Sequence, residues 1–241
     1  MIITILFFLY VAVGVVVLLP IAITALILSF FGLRRQMSAV TYRVAQGWAL
    51  LLIKMLGCPL TVTGRENIPK EGGVCFVSNH DGFLDTVLVL AYCGRPFGFV
   101  GKKELSYIPL FNMWIPLLGG LYIDRKNIRS AIKTINKGIA KIKAGGGMLI
   151  FPEGHRSKGR GLLPFHPGSL KLATQALAPI VPIAITGSYN VFEKNYRVKK
   201  SPVRISFCQP INTAEMNPQE RKMLLPNKIF SIIDTELKSA H

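Results

Sequence analysis

A chain of 241 residues, half of them hydrophobic, has room for one sizeable core, or for one core plus a membrane segment, and argues against two large soluble domains. Its 29 Lys and Arg against 12 Asp and Glu give a net charge of +17, and its mean hydropathy of +0.40 is high for a soluble protein. The four cysteines, Cys58, Cys75, Cys93 and Cys208, have neither paired nor metal-ligand spacing, so the expectation is reduced, mostly buried thiols.

The first 33 residues, "MIITILFFLYVAVGVVVLLPIAITALILSFFGL", contain no charged residue and no histidine. A helix rises about 1.5 Å per residue and the hydrocarbon core is about 30 Å thick, so this stretch is long enough to anchor in a bilayer. A cleaved signal peptide is the alternative, but it would have a shorter apolar region, preceding positive charge and a small-residue cleavage site. Pro20 marks a kink or boundary, and both a full crossing and a re-entrant path fit the length. Arg34 and Arg35 follow at once, which places the remainder of the chain on the cytoplasmic side of a cell inner membrane or plasma membrane. The excess positive charge suits a surface against anionic lipid; nucleic acid is the rival partner, disfavoured because the basic residues are scattered and attached to an anchor.

Ser38 to Leu56 lacks proline and reads as a second apolar helix, lying either in the membrane interface or beneath the globular domain. From Pro59 onward, short runs such as "LTVTG", "VCFVSN", "FGFVGK", "GLYIDR", "MLIFPEG", "IVPIAITG" and "VRISFC" alternate with segments of helical spacing. The clearest helix spans Asn127 to Ala144, with Asn127 as N-cap and Ile128, Ile132, Ile135, Ile139 and Ile142 in one stripe; a last helix runs from Pro218 to about Ser239. The pattern predicts an α/β fold: a mixed, mostly parallel sheet flanked by helices, residues 59–241, preceded by membrane-anchoring helices over residues 1–58.

Three predicted strands end in charged or polar clusters: "NHDGFLD" at Asn79 to Asp85, "YIDR" at Tyr122 to Arg125, and "FPEGHRS" at Phe151 to Ser157. Parallel strands would bring all three to one edge, where ligands bind in such sheets. His80 and Asp85 then suggest a dyad, a neutral imidazole that takes a proton from a hydroxyl while a carboxylate fixes its tautomer. A histidine that merely caps the next helix is the alternative. Asp81 beside His80 admits a metal reading, but such sites need more ligands than His155, His166 and His241 readily supply, so no metal is assigned. Arg156, Lys158 and Arg160 among Gly154, Gly159 and Gly161 suit a phosphate. Arg125 would add a cation, Glu153 would hold Arg156 or Arg125 or contact a substrate hydroxyl, and Lys102 and Glu104 of "GKKELS" would form a third wall.

The ordered set "NHDGFLD", "KKEL", "GGLYIDR", "FPEGHRS" and "VPIAI" resembles the glycerolipid acyltransferase family, in particular bacterial 1-acyl-sn-glycerol-3-phosphate acyltransferases. The resemblance implies transfer of a fatty acyl group from an acyl-CoA or acyl-carrier-protein thioester to the sn-2 hydroxyl of lysophosphatidic acid, with no cofactor beyond that co-substrate. It implies His80 as general base and Asp85 as its partner, with Arg125, Glu153, Gly154 and Arg156 holding the glycerol phosphate. Lys102 resembles the lysine of the family's KxEL stretch and Pro182 the proline of its fourth block. His155 stands where the family usually has threonine, which bears on the acceptor head group. Another lyso-lipid, glycerol 3-phosphate, or a metal-dependent lipid phosphohydrolase are the alternatives. An apolar tunnel for the acyl chain is expected between the sheet and the second helix.

Overall fold

The computed structural model describes residues 2–108, 111–166 and 168–239; His241 and the side chains of Arg34 and Arg35 lie outside it. Two apolar helices come first, α1 (Ile2–Val17) and α2 (Leu19–Leu28), continuous enough that Ala22 N–H still bonds Leu18 carbonyl at 3.1 Å across Pro20. The chain then turns at Phe31 and Gly32, where φ reaches +89° at the glycine, and returns as α3 (Arg34–Leu56). The reversal makes a helical hairpin.

Of the two placements open to the second helix, the structure shows the one beneath the domain. Tyr42, Ala45, Ala49, Leu52, Ile53 and Leu56 of α3 are buried, Tyr42 meets Phe97 edge-on, and Gln46 donates to the Ala91 carbonyl at 3.2 Å. The outer pair, α1 and α2, touches the rest of the protein near both ends. Thr4 Oγ1 accepts from Val198 N–H at 3.0 Å and Phe7 stacks on Phe192, while Ala22 and Ala25 are buried beside Leu117. Ala25 lies 21 positions after Thr4 along this nearly continuous helix, a rise of about 32 Å. The hairpin therefore runs along the domain, and its outward side chains, Ile5, Leu9, Val16, Ile27 and Phe30 among them, are exposed and apolar.

The sheet contains β1 (Leu60–Thr63), β2 (Val74–Ser78), β3 (Phe97–Lys102), β4 (Leu121–Ile123), β5 (Gly147–Ile150), β6 (Ile180–Thr186) and β7 (Val203–Phe207) in the order β1-β7-β6-β2-β5-β3-β4. Strands β6, β2, β5, β3 and β4 are mutually parallel; β7 is antiparallel to β6 and carries β1 alongside it in the reversed direction. The fold is the expected mixed, mostly parallel sheet. Every residue of β2 and β5 is buried because helices cover both faces, which is why their sequences read as continuous apolar runs.

One face packs against α3 and α4 (Asp85–Tyr92), with Phe76, Leu88, Leu149 and Ile183 in the same core as Phe7 and Leu52. The other packs against α6 (Ile128–Lys143), α7 (Lys171–Ala176) and α10 (Leu225–Lys238) around Val77, Met148, Ile229 and Ile233. Short α5 (Phe111–Leu117), α8 (Ser188–Val191) and α9 (Pro218–Met223) complete the set.

Two local expectations change. Asn127 caps α6 as predicted, its side chain accepting from Ser130 N–H, but the isoleucine stripe is only half buried: Ile142 is covered, whereas Ile128 is 75% and Ile132 50% exposed. The C-terminal helix is two helices, α9 and α10, broken at Leu224 ahead of Pro226, whose ring cannot accept a continuous hydrogen-bond ladder.

Candidate active site

Because five strands are parallel, the segments that follow β2, β4, β5 and β6 leave the sheet at one edge. Asn79 joins two of them, its side chain exchanging two hydrogen bonds of 2.8 Å with the backbone of Ile185 on β6. His80 follows at once. Its Nδ1 lies 2.7 Å from Oδ2 of Asp85, and its ring stacks on Phe151 with centroids 4.1 Å apart. A carboxylate can only accept, so Nδ1–H is the donor of this pair; among the described residues Nε2 has no hydrogen-bond partner.

Asp85 is fully buried, yet both its oxygens are satisfied: Oδ2 also accepts from Gly82 N–H at 3.0 Å and Oδ1 from the Ser188 hydroxyl at 2.5 Å. Ser188 stands directly after β6, more than a hundred residues away in sequence, and nothing near the histidine motif announces it. Asp81 does not face a set of metal ligands. It accepts from Gly159 N–H at 3.1 Å and Tyr189 N–H at 3.2 Å, with Ser188 Oγ 3.2 Å away, and burial, followed by the neighbouring Asp85, raises its carboxyl above the ordinary range. Among the described residues no three His, Cys, Asp or Glu side chains converge on a point where a metal could sit. Gly82 lets these segments meet, since a Cβ there would lie 2.7 Å from Tyr189 N and 2.8 Å from Ser188 Oγ.

Glu153 is buried under the same edge and does not hold either arginine. Its Oε1 accepts from the backbone N–H of His80 at 2.7 Å and its Oε2 from that of Leu163 at 3.1 Å; burial pushes its carboxyl up to about 7. It fixes the backbone of the dyad. The two loops are also joined main chain to main chain, Ser157 N–H to His80 carbonyl at 2.6 Å and Lys158 N–H to Asp81 carbonyl at 3.1 Å. Many backbone donors in these loops are thus engaged; the amides of His155 and Arg156, like those of Asp81, Leu84, Glu153, Gly161 and Leu162, have no hydrogen-bond partner among the described residues.

The cationic residues have separate partners. Arg156 pairs with Glu193 at 2.5 Å, and the other oxygen of Glu193 accepts from Phe83 N–H in the histidine loop. Arg125 donates to the Gly154 carbonyl and is otherwise exposed. Gly154 has φ +73°, and a Cβ on it would press on His166 at 2.7 Å and on Arg125 at 3.1 Å. Lys102 and Glu104, at and just past the end of β3, are exposed; the neighbouring Lys103 is the one paired with Asp124, at 3.0 Å. His155 is exposed and tilted toward His166, ring centroids 6.0 Å apart.

Beside Arg156 lies a cavity of about 370 Å³ lined by Phe7, Phe8, Phe83, Phe192, Arg156 and Lys158 among others. Its apolar wall comes from α1, from Phe83 in the loop after β2 and from the segment after β6. A second cavity, of about 640 Å³, lies against β1, β7 and α10, away from the dyad.

A histidine held by a buried carboxylate at the carboxyl edge of a mostly parallel sheet, flanked by arginines, defines the class to which the chain is compared. Residues 59–186, more than half of the chain, match the family model described as Acyltransferase, and the chain belongs to that family. Among named relatives, a probable 1-acyl-sn-glycerol-3-phosphate acyltransferase of Mycoplasma genitalium is 35% identical over 205 residues, 80% of this chain and 74% of the relative. The 1-acyl-sn-glycerol-3-phosphate acyltransferase of Salmonella typhimurium is 30% identical over 174 residues, 72% and 71% of the two chains. Against the plant enzymes of the same name the match spans little more than half their length, as with Cocos nucifera, 33% identical over 70% of this chain and 55% of the relative. The fold is similar to that of the Thermotoga maritima 1-acyl-sn-glycerophosphate acyltransferase crystal structure, with a TM-score of 0.80 at 24% identity over 98% of this chain and 95% of that one.

Proposed function

We propose that this protein acylates the free sn-2 hydroxyl of 1-acylglycerol 3-phosphate, using a fatty acyl thioester of CoA or of acyl carrier protein, at a membrane surface. The observation that carries the proposal is the pair of ring nitrogens on His80: Nδ1–H is committed to Asp85 and Nε2 is open. In the proposed reaction Nε2 takes the proton as the acceptor oxygen attacks the thioester carbonyl. The tetrahedral intermediate then collapses with breaking of the C–S bond, and the departing thiolate receives that proton from the imidazolium. Asp85 stabilises the transient cation without being protonated itself. The unpartnered amides of His155 and Arg156 are the candidate donors to the oxyanion.

The acceptor has a charged end and a fatty end, and the cavity beside Arg156 has both kinds of wall. Arg156 and Lys158 would take the phosphate, with Arg125 and Lys102 as further cations and Gly154 giving the backbone close approach; Glu104 lies at the rim. Phe7, Phe8, Phe83 and Phe192 would take the start of the chain. Glu153 acts from behind, through the His80 backbone.

The apolar stretch Ile2–Leu33 is long enough to cross a membrane. Contacts near both ends of α1–α2 favour a hairpin that lies along the lipid surface beneath the domain. An acyl chain of about 16 carbons costs on the order of 12 kcal/mol to lift into water, at about 0.8 kcal/mol per CH₂. A site fastened to the bilayer avoids most of that cost. Arg34 and Arg35, directly after the apolar stretch, support a cytoplasmic position for the catalytic domain.

The test is incubation of the purified protein with 1-acylglycerol 3-phosphate, glycerol 3-phosphate and uncharged lyso-lipids, with each thioester donor, followed by mass spectrometry of the products. The proposal predicts phosphatidic acid as the main product, undiminished in excess EDTA. Release of inorganic phosphate in place of acyl transfer, or loss of activity with EDTA, would point to the phosphohydrolase instead.

A further inference from the structure

Helix α6 contains Arg129, Lys133, Lys137, Lys141 and Lys143 and no acidic residue, and none occurs between Lys126 and Pro152. Its first two turns are unlike an ordinary solvated face. Ile128 and Ile132, one turn apart, present 75% and 50% of their surface to solvent, with exposed Lys126, Arg129 and Lys133 around them. An apolar centre inside a rim of one charge is the make-up of a protein-binding patch, where the centre contributes affinity and the rim selects and steers a partner of opposite charge.

Position decides which partner. The patch begins at Lys126, immediately after Arg125, whose guanidinium bonds the Gly154 carbonyl, next to the Glu153 that holds the His80 backbone. It therefore sits at the edge of the candidate site. Yet α6 packs on the sheet face opposite to α3 and the apolar hairpin. Two packing layers separate them, on the order of 20 Å at about 10 Å per layer, against a Debye length of about 8 Å at physiological salt. Anionic lipid under the hairpin is too far to be the rim's partner. A soluble acidic molecule is not.

We infer that Ile128, Ile132, Lys126, Arg129 and Lys133 form a docking surface for a small acidic protein that delivers the acyl thioester to the site. The inference rests on the acyl-transfer reading and adds the side from which the donor arrives: the acceptor enters from the lipid side along α1, the donor carrier from the solvent side over α6. Specific contacts of this kind would let the enzyme favour a protein-bound thioester over the same thioester on CoA, which has no protein surface to cover the isoleucines.

The experiment uses the full-length protein, its Arg129→Glu/Lys133→Glu variant and its Ile128→Ser/Ile132→Ser variant, with one acyl chain presented on acyl carrier protein and on CoA. Both variants should melt like the parent. The inference predicts that KM for the carrier-bound donor rises roughly 10-fold in each, with added salt producing a similar rise in the parent, while KM for acyl-CoA and kcat change less than about twofold. Equal effects on both donors, no effect on either, or a parent that uses only acyl-CoA would overturn it and leave the acyl-transfer reading standing. Loss of binding to anionic vesicles with donor kinetics unchanged would also overturn it, assigning the patch to lipid. A parent inactive with both donors would count against the acyl-transfer reading itself.

Discussion

The two flanks of the candidate site are built on opposite principles. On the dyad flank Asp85 is fully buried and accepts three hydrogen bonds, from His80, Gly82 and Ser188, while Asp81 and Glu153 spend their oxygens on loop amides. On the cationic flank Arg125, Lys102 and Lys158 are exposed and Arg156 is held by a single carboxylate. The contrast suits the proposed tasks. A general base must present one tautomer in one direction, which a buried, fully bonded carboxylate enforces. A phosphate must be exchanged with solvent at every turnover, which needs long, hydrated side chains that can release it.

If the contrast is right, substitutions on the first flank act on turnover and those on the second on binding. The largest effect is expected from Asp85→Asn, which preserves shape but can orient the wrong tautomer: kcat should fall by about 10² to 10⁴ with the melting temperature little changed. Ser188→Ala removes one charge-assisted bond to Asp85 and should lower kcat roughly 10-fold, with acceptor KM unaltered. Arg156→Ala should raise acceptor KM by roughly 10-fold and leave kcat within a factor of about three. Glu193→Gln, which weakens the positioning of Arg156, should do the same to a smaller extent. A kcat loss at Arg156 with unchanged KM would erase the distinction between the flanks.

The smallest effect concerns pH. Glu153 has its carboxyl raised to about 7 from 4.5, so the folded protein holds that proton where the unfolded chain has lost it. Its favourable contribution is complete below pH 4.5 and is lost as pH rises through about 7. Glu153→Gln cannot titrate. The melting temperature of the parent should therefore fall relative to that of Glu153→Gln between those two values and run parallel to it above them, in thermal melts across the range.

Much of this arrangement was readable in the sequence, and the failures share a cause. Strands such as Val74 to Ser78 and Gly147 to Ile150 are continuous apolar runs because both faces are covered, and their polar ends mark the edge where His80, Asp85, Glu153 and Arg156 gather. The N-cap of α6 was equally plain at Asn127. Pairing between distant segments was not. Ser188 beneath Asp85, Glu193 beside Arg156 and Glu153 on the His80 backbone each depend on which strand ends lie adjacent, and composition does not encode strand order. A lone acid among arginines invites an ion pair by Coulomb's law, but Glu153 is itself buried and its two oxygens are taken by the amides of His80 and Leu163. The cavity beside Arg156 was hidden for a related reason: α1 reads as an anchor, and its contact through Phe7 on Phe192 exists only in three dimensions.

The most direct measurement is a double-mutant cycle on single-turnover acyl transfer with His80→Ala, Asp85→Ala and the pair. If Asp85 acts only through the imidazole, His80→Ala costs at least about 10² in rate and adding Asp85→Ala costs nothing further. Losses that multiply, or a His80→Ala protein as fast as the parent, would contradict the account.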